Sequence, residues 1–134
     1  MKRIRKYICV CMVVIVAIFC FSHKNTLFLL INWRIEIGIS DIVYKNEKSK
    51  VRYIVGEVPF YEEYLIKNQL IEQKISELWK KEIRDNLSEI KTDTIEYPVF
   101  ENIDYSIKKT NHLSYVYILY SSDSSIVYIL ESID

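Results

Sequence analysis

The sequence predicts an α+β domain behind an N-terminal apolar helix, and three observations carry that expectation. A basic cluster, Lys2, Arg3, Arg5 and Lys6, precedes sixteen uncharged residues from Tyr7 to Ser22. A long stretch after Pro59 repeats its apolar residues every three or four positions, as an amphipathic helix does. The rest alternates apolar and polar residues or runs apolar between short polar turns, as strands do. The predicted order after the apolar segment is β-β-α-β-β-β, with room for one more short strand, and one long helix lying across an antiparallel sheet.

The opening segment divides the chain into residues 1–22, a basic n-region with a membrane anchor or signal, and 23–134, a single extracytoplasmic domain. Four cations before the apolar run and Lys24 alone close after it bias the N-terminus to the cytoplasmic side. The expected location is therefore a single-pass membrane protein with its domain in the periplasm or at the cell surface. As a helix the run reaches roughly 24 Å, short of the ~20 residues that comfortably span a bilayer, so a secretory signal stays open beside an uncleaved anchor. Cleavage would have to place Cys20 and Ser22 at the −3 and −1 positions. A lipoprotein reading at Cys20 meets a bulky Phe19 before it. All three cysteines, Cys9, Cys11 and Cys20, lie inside this segment, which leaves the remainder without disulfides or thiol chemistry. At about 112 residues that remainder is long enough to fold on hydrophobic burial alone.

Beyond the segment, Leu27 to Ile31 either enters the core or continues along the membrane surface. Trp33, Ile35, Ile37 and Ile39 alternate with polar neighbours as a half-buried strand. The polar stretch Lys45 to Lys50 then turns into Val51–Val58, a first hairpin. Pro59 marks a helix start, with Glu62 and Glu63 at the positive end of its dipole. Leu65, Ile71, Ile75, Leu78, Trp79, Ile83, Leu87 and Ile90 form the apolar face. Unbroken from 60 to 91 this helix would be about 48 Å long, against roughly 34 Å for a domain of this size. It is therefore expected to start late, end early, break near Asp85-Asn86, or project beyond the sheet. Asp93 to Phe100, with Pro98, reads as an edge strand or irregular approach. Ile103 to Lys108 alternates, Thr110-Asn111-His112 turns, Leu113 to Tyr120 suits a central strand, and Ile126 to Leu130 closes the sheet after Ser121–Ser125.

Chemistry is hard to place on this chain. Two glycines, Gly38 and Gly56, cannot build a phosphate-cradling loop. His23 and His112 are the two histidines, too few with carboxylates alone to suggest a zinc site. No catalytic residues, cofactor or metal ligands are expected, and the chain does not read as an enzyme. Residues 23–134 carry a net charge of −4, and from Asp93 onward seven carboxylates face Lys108 and Lys109 alone. That balance argues against nucleic acid, which needs clustered cations, and is compatible with a basic protein partner. Eleven tyrosines supply the other unusual feature. Tyrosine suits both strands and interfaces. If the helix covers one sheet face, the other can remain an aromatic binding surface. Tyr105, Tyr115 and Tyr117, with the carboxylates Glu101 and Asp104, are the candidate partner-binding residues.

A basic start, an apolar anchor, a helix and a terminal antiparallel sheet resemble, in layout, the membrane-anchored immunity proteins that guard the periplasm against colicin-type toxins. The resemblance implies a small binding or inhibitory protein that neutralises its partner by docking. The alternative is an accessory subunit of an envelope or secretion complex, assembled partly through its transmembrane helix.

Overall fold

The computed structural model describes residues 2–38, 42–48, 50–90 and 97–133. An apolar helix, α1 (Lys2–Ser22), leads at His23 into α2 (Lys24–Trp33). Then come β1 (Ile42–Lys48), β2 (Val51–Glu57), α3 (Glu62–Asn68), a two-residue β3 (Ile71–Glu72) and α4 (Glu77–Glu89). After a single 3-10 turn at Phe100–Asn102 the chain ends in β4 (Tyr105–Asn111), β5 (Ser114–Ser121) and β6 (Ile126–Ser132). The six strands form one antiparallel sheet in the order β1-β2-β6-β5-β4-β3. The expected α+β class and antiparallel sheet are present, as is the N-terminal apolar helix.

The first hairpin is not the expected one. The alternation from Trp33 to Ile37 is real as burial, since Trp33, Ile35 and Ile37 are buried and Arg34, Glu36 and Gly38 are exposed. Trp33, however, ends α2, and after Arg34 residues 35–38 pass over one sheet face without joining a ladder. Arg34 adopts a left-handed conformation (φ 55°), and the N–H groups of Arg34 and Ile35 return to the Leu30 and Leu29 carbonyls, closing the helix. The 35–38 segment satisfies its backbone through a side chain. Glu36 N–H donates to Asn68 Oδ1 at 2.8 Å, and Asn68 is itself fully buried. The strand that pairs with β2 runs from Ile42 to Lys48 and takes in the first part of the polar stretch, Lys45 to Lys48. A sheet edge tolerates such polarity, because charged side chains there discourage pairing with other chains. Ile39, the last residue of the expected first strand, falls outside the described residues.

The expected long helix is two helices separated by a strand. Gln69, left-handed at φ 62°, ends α3, and Leu70 N–H bonds the Leu65 carbonyl. Ile71 and Glu72 pair with Ser106 and Tyr105 of β4. Ser76 then caps α4 by accepting from Trp79 N–H. The break comes at this cap and not at Asp85-Asn86, which lies inside α4. Residues 93–96 of the expected edge strand fall outside the described residues, and 97–99 are irregular.

Both faces of the sheet are covered. On one, α2, the 34–38 segment and α3 enclose Leu29, Trp33, Ile35, Ile54, Val116, Ile118, Tyr120 and Ile129. On the other, Ile83, Leu87 and Ile90 of the α4 region pack on Tyr53, Tyr117, Leu119, Tyr128 and Leu130. The expectation that one face stays open as an aromatic surface is thereby corrected. Splitting the predicted helix at Gln69 supplies an element to each side.

Candidate functional site

One transverse row of the sheet carries charge under α2. Register places Glu47, Arg52, Glu131, Val116 and Lys109 side by side across β1, β2, β6, β5 and β4. Directly opposed residues point to the same face, here the α2 face. Glu131 is almost completely buried. Its carboxylate accepts from the Trp33 indole N–H and, at 3.0 Å, from the Arg52 guanidinium. Arg52 also reaches Glu47 at 3.5 Å and stacks over Phe28 of α2, 4.4 Å from its ring centre. Lys109 Nζ donates to the Trp33 carbonyl at 3.1 Å, a cation at a helix C-terminus. Burial pushes the Glu131 carboxyl above its usual range, against the pull of Trp33 and Arg52. Burial and neighbouring Arg34 lower the Lys109 ammonium. This row fixes the end of α2 to three strands.

A second cluster joins α4 to the opposite face. Glu82 Oε2 accepts from Lys108 Nζ at 2.8 Å and from the Tyr117 hydroxyl. Asn86 Nδ2 donates to the Tyr115 hydroxyl at 2.7 Å. The Lys108 ammonium lies 4.6 Å from the Tyr115 ring centre and 4.9 Å from that of Tyr117, a cation held over two aromatic faces. Burial works to raise the Glu82 carboxyl, but its hydrogen bonds from Lys108 and Tyr117 outweigh it and hold the group below its ordinary value. Burial first, then the Glu82 carboxylate, drives the Tyr117 phenol upward. A depressed folded-state pKa gives stability that is present above the ordinary carboxylate value and is lost as pH falls through the folded value. Comparing the urea midpoint of the native chain with that of Glu82→Gln should therefore show a gap at pH 7 that closes under acid. A gap independent of pH would remove the charge from this account.

The sequence-derived candidates are not brought together. Tyr117 is in the core, and Tyr115 is half-buried beneath Asn86 and Lys108. Tyr105 faces the other way, 6.0 Å from Phe60 between ring centres. Glu101 and Asp104 do meet, lining a groove of about 560 Å³ with Glu72, Lys74 and Lys80. Asp104 also has structural work, accepting from the backbone N–H of Ser122 at 2.8 Å and from its hydroxyl, which holds the β5–β6 turn.

That groove belongs to the end of the sheet remote from the charged row. Here the chain turns through 58–61, 73–74 and 122–125. Glu57, Glu62, Glu72, Glu101 and Asp123 are exposed at these turns and adjoining element ends, with Lys74 among them. Phe60 and Tyr61, roughly half exposed, belong to the 58–61 turn at this end; Phe60 lies against Tyr105 and Tyr120, and Tyr61 lines a separate groove with Glu36, Glu63 and Lys67. Among the described residues, no group of three or more histidine, cysteine or carboxylate side chains is placed to hold a metal ion. Sequence reasoning did not place the turns that carry Phe60, Tyr61 and Asp123 at the same end of the sheet as Glu101, because register alone brings them there. It also missed Arg52 and Glu131, whose signal was a charge inside each of two otherwise apolar strands. Comparison with known proteins finds no match among family models, curated proteins or solved structures.

Proposed function

We propose that the chain is a small membrane-tethered protein that acts outside the cytoplasm by docking its sheet domain on a protein partner, as a toxin-immunity protein does. The observation that carries this reading is α1. Its span Ile4–Ser22 is long and apolar enough to cross a membrane, as a signal sequence also can be, and none of it is buried against the rest of the chain. A helix of 21 residues rises about 32 Å, close to the ~30 Å of a bilayer's hydrocarbon core. The short apolar run counted from the sequence gains a turn at its N-terminal side, where Arg5 and Lys6 can extend toward headgroups.

The partner-facing surface in this reading is the acidic, aromatic end of the sheet. Exposed carboxylates around Phe60 and Tyr61 fit a cationic partner, with rings to anchor it and charge to steer it. Of the candidates from sequence, Glu101 stays in this surface. Tyr115 and Tyr117 leave it for the α4 interface.

The test pairs a phenotype with a surface. Deleting the gene should sensitise the host to a neighbouring toxin, and native full-length protein should restore resistance. Glu101→Lys combined with Asp123→Lys should fail to restore it while accumulating in membranes normally. An unchanged deletion strain would sink the immunity reading. Full rescue by the charge-reversed chain would remove this surface from it.

A further inference from the structure

The helix α2 shows the sheet one face and something else the other. Its residues Phe28 and Trp33 hold the charged row, and Leu29 is completely buried. On its outer side Ile31 is 75% exposed, while Leu30, 42% exposed, lines a groove with Tyr61 and Tyr64. The polar residues Asn32 and Lys24 are exposed with Ile31 on α2, and a helix facing only water would not be expected to expose an isoleucine this far. One residue, His23, separates α2 from α1. At the same end of the sheet, two residue pairs beyond the row that α2 crosses, the β4–β5 hairpin ends at His112 and Leu113. Leu113 is 76% exposed. The exposed cations Lys24, Arg34, Lys48 and Lys50 lie on α2 or at this end of the sheet; of the exposed carboxylates, Glu47 is here too but pairs with Arg52, and Glu89, one turn past Asn86, belongs to the opposite, α4 face.

We infer that α2 and the β4–β5 hairpin tip form a lipid-docking surface, which seats the domain on the bilayer with this end of the sheet against the headgroups. The inference rests on reading α1 as a membrane span, and three observations specify lipid as the occupant. Continuity with α1 places the exposed face of α2 within a few residues of the hydrocarbon boundary. An apolar helix face with flanking cations is the pattern of an interfacial helix, whose apolar side chains sink to the acyl boundary while its charges meet anionic headgroups. A lone leucine at a hairpin tip beside a histidine supplies a second apolar contact. The ion-paired row then has a mechanical role. By holding α2 to β2, β6 and β4 it makes the domain follow the helix, so that the acidic end is presented away from the membrane.

The full chain should be reconstituted in vesicles of phosphatidylcholine with phosphatidylglycerol, carrying one environment-sensitive fluorophore on a single cysteine. The positions are Ile31→Cys, Leu113→Cys and Asp123→Cys, each with the three native cysteines changed to serine. A fourth chain keeps Cys11 alone. A nitroxide quencher carried on the lipid chains reads depth. Labels at 31 and 113 should shift to the blue and lose most of their emission, as Cys11 does, while the label at 123 keeps its emission. Quenching at Cys11 with none at 31 and 113 would overturn the seating and leave the span standing. No quenching at Cys11 would overturn the span, and the seating with it. Near-ultraviolet circular dichroism equal to that of the native chain excludes a labelled protein that has lost its fold.

Discussion

Replacing Arg52 with methionine is expected to cost about 3–5 kcal/mol of stability, because it strips the buried Glu131 carboxyl of its cation, so that the group bears the full desolvation cost of its charge or must take up a proton. That is a large part of the 5–15 kcal/mol that separates typical folded and unfolded domains. The Trp33 indole would still donate to Glu131, but one neutral donor does not offset the desolvation of a carboxylate. The damage should be seen at α2 first, since Arg52 also stacks on Phe28 there. Urea unfolding of the full chain in detergent, followed by tryptophan emission from Trp33 and Trp79, measures it. The informative comparison is the double variant Arg52→Met with Glu131→Leu. Replacing both members of a buried ion pair by apolar groups is often neutral or stabilising. Here it would strand the Trp33 N–H, at a cost of about 1–3 kcal/mol, so the double variant should be more stable than Arg52→Met alone. A single variant within about 0.5 kcal/mol of the native chain, the range of an uninvolved surface position, would show that the row does not hold α2.

The row also changes what acid does. Glu131, with its pKa raised by burial, contributes most when protonated, so its share of stability is complete below the ordinary carboxylate value and declines as pH rises through the folded one. Glu82 has the opposite sign. The two carboxylates sit on opposite sheet faces and tie down different helices. A single acid titration of the native chain therefore superimposes opposed trends, and only the Glu82→Gln comparison isolates one of them.

Local chemistry made some of this structure legible in the sequence. The strands β2, β5 and β6 are apolar runs between polar turns, and each lies within a residue or two of its expected bounds. Long-range pairing made the rest opaque. Lys45 to Lys48 looks like a turn because nothing local shows that β2 needs an edge partner. The Trp33 to Ile37 alternation looks like a strand because burial against a sheet face produces the same period as pairing within it. The helix after Pro59 kept its period across Gln69, so Ile71 and Leu78 fell into one apolar stripe with Ile83 and Leu87. The stop was present in Asn68-Gln69 and the restart in Ser76, but both are weak signals beside a periodic run. The candidate site followed the same division. Glu101 could be picked out as an exposed carboxylate, whereas the turns that carry Phe60 and Asp123 are brought to its end of the sheet by register alone.

The split helix makes a contrast that decides which residues belong to the core. Leu87 is completely buried between α4 and the sheet, and Leu78, on the same helix, is 72% exposed. A single continuous stripe would place both inside. Leu87→Ala should cost about 2–5 kcal/mol, the range for emptying a packed aliphatic site, with the upper part favoured where rigid strands prevent collapse. Leu78→Ala should stay within about 0.5 kcal/mol of the native chain, since it removes no enclosed surface. Urea midpoints of the two variants settle the matter. Equal losses would return Leu78 to the interior beside Leu87. With unequal losses, Tyr117 is a packing residue under α4, and any substitution there that weakens a partner acts through the fold. Binding variants should then be sought around Phe60, Glu101 and Asp123, where side chains are exposed and can change without emptying the core.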